Sequence, residues 1–129
     1  MNDSGRRIVI VLWSCGPERA DGASLVAAPF VYALAARALE LEVEMHFTGN
    51  AVRWLFEGTA AGAYTDRAAT KTVLDFIREA HAAGVKMYAC AMALAEHRRG
   101  EGLLPEVAGV AGAATVVGAA GEGARTLVF

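Results

Sequence analysis

The feature that most constrains the fold is an unbroken aliphatic run near the amino terminus, IVIVL at residues 8–12. A strand with one solvated face alternates apolar and polar residues, whereas a strand covered on both faces is apolar throughout. Parallel sheets have such strands, because the crossover helices pack on both faces. The run therefore predicts a strand of a parallel sheet between two helical layers.

Four further apolar segments alternate with helical patterns along the chain. The predicted strands cover residues 8–12, 43–47, 85–89, 107–111 and 126–129. This alternation is typical of βαβ units with right-handed crossovers. We predict one α/β domain over residues 1–129 with a flexible segment at residues 1–6. Its fold is expected to be three-layered, with about five mostly parallel strands in the flavodoxin-like order 2-1-3-4-5.

Charge and cysteine content argue against several classes of protein. The chain has 12 basic and 14 acidic residues without a basic stripe, so neither nucleic acid nor a membrane is implied as a partner. The apolar run is too short for a membrane span or a signal-peptide core. Two cysteines without an export signal predict reduced thiols in the cytoplasm. No metal-ligand spacing or phosphate-binding glycine motif is present, so no metal or cofactor is predicted.

The first long helix, predicted over residues 24–40, is apolar nearly all round. The outer face of such a helix needs a cover. Two interpretations stay open: an interface between subunits, and a helix that is wholly internal to one subunit.

The candidate chemical centre is Cys90, at the junction of the third predicted strand and the helix that follows it. In open parallel sheets, ligands bind beyond the carboxyl ends of the strands. Backbone N–H groups at the start of a helix favour an anion, so the thiolate of Cys90 is expected to be well populated. The alternative is that Cys90 is a small buried apolar residue, as most free cysteines are.

Cys15, just after the first strand, is the weaker candidate. In the order 2-1-3-4-5 the first and third strands are neighbours, which would place both thiols on one rim of the sheet. Glu18 and Asp21 are close in sequence, and their negative charges would raise the pKa of the Cys15 thiol. A second, resolving thiol and a passive loop cysteine both stay open.

The three histidines are not expected to act on Cys90. His97 would lie about 10 Å from Cys90 along a continuous helix, too far for a Cys-His dyad. His46 and His81 are interpreted as packing or surface residues.

The layout of the chain resembles the DsrE/DsrF-like family. The resemblance rests on IVIVL at residues 8–12, the apolar helix, EMHF at 44–47, GVKMYACAM at 84–92, VAGAATV at 110–116 and TLVF at 126–129. It implies a homo-oligomer, a trimer or hexamer, in sulfur relay or intracellular sulfur oxidation. Cys90 would carry sulfane sulfur as a persulfide, and the backbone N–H groups of Ala91 and Met92 would stabilise the anion. Sulfur would come from, and pass to, a partner protein or a small thiol.

Three functions are therefore carried forward. The first is a sulfur carrier or sulfurtransferase accessory protein acting through Cys90, a persulfide carrier rather than a classical turnover enzyme. The second is a thiol redox sensor or peroxiredoxin-like protein that uses Cys90 and Cys15. The third is a non-catalytic oligomeric binding module in which both thiols are inert.

Overall fold

The computed structural model describes residues 6–129, so the predicted flexible segment lies, apart from Arg6, outside the described residues. The fold is a five-stranded parallel sheet with helices on both faces, and the predicted α/β class is confirmed. The strands are β1 (Arg7–Leu12), β2 (Glu42–Phe47), β3 (Lys86–Cys90), β4 (Val107–Ala111) and β5 (Arg125–Val128). The α-helices are α1 (Gly22–Ala38), α2 (Val73–Ala82), α3 (Ala91–His97) and α4 (Ala113–Gly121), with 3₁₀ segments at Gly49–Leu55 and Ala60–Gly62.

The strand order differs from the predicted one. The observed order is β4-β3-β2-β1-β5, and β2 pairs with β1 on one side and with β3 on the other. The prediction that the first and third strands are neighbours is therefore wrong. Neighbouring strands lie about 4.8 Å apart, so β1 and β3 are about 10 Å apart. Apolar runs of similar composition do not encode which strands pair, because the order depends on where each crossover helix can pack.

One face of the sheet packs against α1 and α2 and forms the main core. Successive side chains of a strand point to opposite faces, so alternate residues of the three central strands reach this core. Its largest buried members include Ile10, Leu12, Phe30, Met45, Phe47, Ile77 and Met87. The ring of Phe30 on α1 lies 6.1 Å from that of Phe47 and 5.7 Å from that of Phe76 on α2. Phe30 therefore joins both helices to the sheet.

Polar contacts fix the ends of the two core helices. Thr72 and Asp75 form a capping box at the start of α2, each side chain bonding to the other's backbone N–H. At the end of α1, Arg37 donates hydrogen bonds to the carbonyl oxygens of Ala83 and Leu41, both at 2.8 Å. The bond to Ala83 ties the carboxyl ends of α1 and α2 together.

The outer side of α1 carries exposed apolar side chains. Leu25, Val31 and Tyr32 are exposed, as is Leu39 at the end of the helix. The interpretation of α1 as a wholly internal helix is therefore wrong for the described chain. Cover by a second subunit stays a prediction.

The opposite face of the sheet packs against α4. A small cluster joins Val9 and Val11 of β1 to Val116 and Ala119 of α4. The alternation of strand side chains also places Glu44 and His46 of β2 on this face. Among residues 6–129, no helix combines the length and apolar character needed to cross a membrane.

Candidate functional site around Cys90

Cys90 lies where its sequence position predicts, as the last residue of β3 and directly before the first residue of α3. Its backbone is extended, with φ −71° and ψ 128°, and it pairs across the sheet with Ala111 of β4. The side chain is partly exposed, and Cys90 is a free thiol. A reagent that approaches the carboxyl edge of the sheet can therefore reach it.

The surroundings of Cys90 favour its thiolate. Partial burial by itself raises the pKa of the thiol, but the Thr48 hydroxyl and the backbone N–H groups of Ala93 and Met92 outweigh it, and the net pKa is below the ordinary 9.0. The Cys90 side chain forms no capping hydrogen bond with the described backbone at the start of α3. These donors are nevertheless close enough to stabilise the charged form.

The family resemblance implied Ala91 and Met92 as backbone donors to Cys90, whereas the N–H groups that lower its pKa in the structure are those of Met92 and Ala93. Cys90 occupies the capping position before α3. A side chain in that position faces the N–H groups of the second and third helical residues, and Ala91 is the first. Helix-start geometry thus explains the correction.

Strand β2 contributes two side chains that sequence reasoning did not place here. In the β2–β3 register His46 is opposite Tyr88, which puts Thr48, just beyond β2, beside Cys90. His46 is only 5% exposed and its ring stacks on Tyr88, with centroids 5.1 Å apart. The sequence signal that could have found them is their spacing: His46 and Thr48 are two positions apart, and residues two apart on a strand share a face.

His46 is uncharged at neutral pH. Burial lowers its pKa below the ordinary 6.5, and the neighbouring Glu44 carboxylate opposes this without reversing it. The His46 Nε2 atom is 3.7 Å from Glu44 Oε1, too long for a hydrogen bond, and it has no hydrogen-bond partner among residues 6–129. Glu44 forms an ion pair with Arg7 instead, at 3.3 Å.

A half-enclosed cavity of about 180 Å³ adjoins Cys90 between α4 and the carboxyl ends of the strands. Its lining residues are Val11, His46, Thr48, Cys90, Ala111, Gly112, Ala113, Val116 and Val117. The thiol, the Thr48 hydroxyl and the uncharged imidazole are the polar side-chain groups among them. The remaining lining is apolar.

Cys15 is not part of this site. It is 3% exposed, its carbonyl oxygen accepts a 2.7 Å hydrogen bond from Trp54 Nε1, and it does not line the cavity. Burial is the largest cause that raises the pKa of Cys15 to about 11, and Glu18 adds to the rise, as its sequence position predicted. The two cysteines are not neighbours at the carboxyl edge of the sheet, as the predicted strand order would have made them, because β2 separates β1 from β3.

Sequence comparison decides the relationship of the chain to known proteins. The family model described as the DsrE/DsrF-like family matches residues 17–129. The chain belongs to the DsrE/DsrF-like family. This family is broadly linked to sulfur relay. A search of curated proteins found no match.

Two solved structures show the same fold as this DsrE/DsrF-like chain. The ychN protein from E. coli matches with a TM-score of 0.74 and 17% identity, covering 95% of this chain and 98% of its own. MTH1491 from Methanobacterium thermoautotrophicum, described as a protein of unknown function, matches with a TM-score of 0.67 and 21% identity at the same coverage. At such identities the likeness concerns the fold.

Proposed function

We propose that this DsrE/DsrF-like protein is a sulfur carrier that accepts sulfane sulfur on Cys90 as a persulfide and passes it to an acceptor thiol. The observation that carries the proposal is the reachable Cys90 thiol with a lowered pKa at the carboxyl edge of the sheet. A thiolate is the nucleophile in thiol exchange, so a lowered pKa raises the reactive fraction near neutral pH.

In the loading step the outer sulfur of the donor is transferred to Cys90 and the donor leaves as a thiolate, so there is no net oxidation. The Cys90 thiolate attacks the outer sulfur of a donor R–S–SH and forms a new S–S bond. The S–S bond of the donor breaks, and RS⁻ leaves with the electron pair and takes a proton from water. Unloading repeats the exchange, with an acceptor thiolate attacking the outer sulfur of the Cys90 persulfide and Cys90 leaving as a thiolate.

The same groups that stabilise the thiolate serve both ends of this cycle. Thr48, Met92 and Ala93 favour negative charge on Cys90 Sγ, which is the attacking atom in loading and the leaving atom in unloading. A stabilised leaving thiolate departs faster. No general base is required, because the nucleophile is already ionised for part of the time.

A resolving role for Cys15 receives no support from its surroundings. Its thiol is buried, its pKa is raised to about 11, and β2 lies between β1, which precedes Cys15, and β3, which ends at Cys90. Disulfide formation needs the two Cα atoms within about 7 Å of each other. The carrier proposal therefore uses Cys90 alone.

The proposal extends to a homo-oligomer, a trimer or hexamer, working in a reducing cytoplasm with a donor and an acceptor protein or small thiol. The exposed Leu25, Val31 and Tyr32 on α1 support an interface on that helix. Sedimentation at micromolar concentration is expected to show an assembly that Tyr32→Glu dissociates. A monomer in the unmodified protein would contradict this part of the proposal.

Peptide mass mapping tests sulfur loading. The reduced protein is incubated with polysulfide, with thiosulfate plus a sulfurtransferase, or with buffer. The mass of each cysteine-containing peptide is then measured by mass spectrometry. We expect Cys90 to gain the mass of one sulfur atom, removable by dithiothreitol, and Cys15→Ala to gain it equally. No adduct on Cys90 with either donor would contradict the carrier function.

A further inference from the structure

The cavity beside Cys90 has a lining that disfavours charged ligands. None of the nine residues that line it in the described part of the chain is an Asp, Glu, Lys or Arg. His46, which lines it, is buried and uncharged, and its Nε2 atom has no hydrogen-bond partner within the described chain. Moving an ion from water into such a site without a partner costs several kcal/mol, whereas moving an apolar group is favourable.

The size of the cavity fits a small organic group. Its volume of about 180 Å³ exceeds the roughly 150 Å³ of an engineered apolar cavity that binds benzene. It extends from Cys90 along α4 to Val116 and Val117, so a ligand can reach the thiol and fill the apolar end together. A group of the size of a phenyl ring matches these dimensions.

We propose that this cavity binds the small apolar organic group of an uncharged hydropersulfide, R–S–SH, and presents its outer sulfur to Cys90. The proposal rests on the carrier function of Cys90 and adds the chemical class of the donor. The neutral hydropersulfide is the electrophilic form, and an apolar lining selects it over the anion R–S–S⁻.

The transfer step conserves atoms and electrons. Cys90 Sγ attacks the outer sulfur, the R–S bond to that sulfur breaks, and Cys90 is left as Cys–S–SH. The organic group leaves as R–S⁻ with the electron pair and takes a proton from water. The thiol R–SH is then held only by non-covalent contacts in a partly open cavity, so it exchanges with the solvent.

Two donors, one with an apolar and one with a zwitterionic organic group, test the assignment. In benzyl hydropersulfide the CH₂ group next to sulfur carries a phenyl ring. In cysteine hydropersulfide the same CH₂ group carries a carbon with an ammonium and a carboxylate. We expect Cys90 to gain sulfur about tenfold faster from the benzyl donor, as the burial of an apolar group of this size predicts. Equal rates would overturn the donor class while leaving the carrier function intact.

A matched pair of substitutions tests whether the preference for the benzyl donor arises in this cavity. Ala113 is exposed at the first turn of α4 and lines the cavity, and Ala114 is exposed beside it but does not. Ala113→Phe is expected to remove the preference for the benzyl donor, and Ala114→Phe to keep it. Thermal unfolding verifies that both variants fold. Retention of the preference in Ala113→Phe would contradict the proposal.

Benzyl methyl sulfide, which has no transferable sulfur, separates binding from transfer. We expect it to shift the NMR signals of His46 in the unmodified protein and not in Ala113→Phe. Absence of binding would overturn the proposal. Binding without any sulfur uptake by Cys90 would contradict both the donor assignment and the carrier function, and would leave a site for apolar ligands.

Discussion

Thr48 and Cys90 lie side by side because the β2–β3 register places the residue after β2 next to the last residue of β3. The Thr48 hydroxyl is the largest of the contributions that lower the pKa of the Cys90 thiol. Two residues 42 positions apart in the sequence thus form the core of the candidate site. The pairing of two strands creates this contact.

Replacing the Thr48 hydroxyl tests this relationship. Thr48→Val keeps the shape of the side chain but removes the donor, so we expect the pKa of Cys90 to rise and its alkylation near neutral pH to slow. Thr48→Ser keeps the hydroxyl and is expected to retain the lowered pKa. The measurement is the rate of reaction with iodoacetamide as a function of pH. An unchanged profile in Thr48→Val would contradict the assigned role.

The two cysteines are expected to differ sharply in reactivity. With a pKa of about 11, roughly one Cys15 thiol in a thousand is ionised at pH 8, and the side chain is buried. Native protein should therefore be alkylated at Cys90, and Cys15 should react only after unfolding in urea. Peptide mapping with and without urea makes the comparison. Alkylation of Cys15 in the native protein at a rate similar to that of Cys90 would refute the burial argument.

Phe30 is expected to be a principal source of stability. It is fully buried and packs against Phe47 and Phe76. Phe30→Ala should lower the free energy of unfolding by about 3–5 kcal/mol, and Phe30→Leu by less, because more of the volume stays filled. Urea unfolding measures both variants. A loss below about 1 kcal/mol in Phe30→Ala would show that the cluster packs loosely.

His46 is expected to make stability depend on pH. Its folded-state pKa is below the unfolded value of about 6.5, so between these two values the unfolded chain binds more protons. Stability should therefore fall as the pH decreases from about 6.5, with a slope of up to about 1.4 kcal/mol per pH unit from this residue. In His46→Gln that slope should be smaller. An equal slope in both proteins would contradict the burial of an uncharged imidazole.

Much of the fold follows from local sequence patterns. The apolar run of β1 and the alternation of apolar segments with helical patterns predict the layers, and the strand-to-helix junction predicts the position of Cys90. These features depend on residues close together in the chain. The strand order does not, and the predicted adjacency of the strands that position Cys15 and Cys90 is wrong for that reason.

The side chains that surround Cys90 reach it through contacts between elements that are distant in the sequence. Thr48 and His46 reach the site only because β2 lies next to β3, and neither residue has a local motif that marks a function. Val116 and Val117 enter through the packing of α4 across the sheet. Sequence reasoning can nominate one nucleophile at a strand end and the N–H groups of the helix that follows it, but the side chains that surround it come from other elements.

The most direct test of the central claim follows one sulfur atom through Cys90. The protein is loaded with isotopically labelled sulfane sulfur, separated from the donor and mixed with an acceptor thiol. Mass spectrometry then measures the label on Cys90 and on the acceptor. We predict one labelled sulfur per chain on Cys90, transferred to the acceptor as Cys90 returns to the thiol, and none in Cys90→Ser. Label that never enters Cys90, or enters and cannot be passed on, would contradict a sulfur carrier.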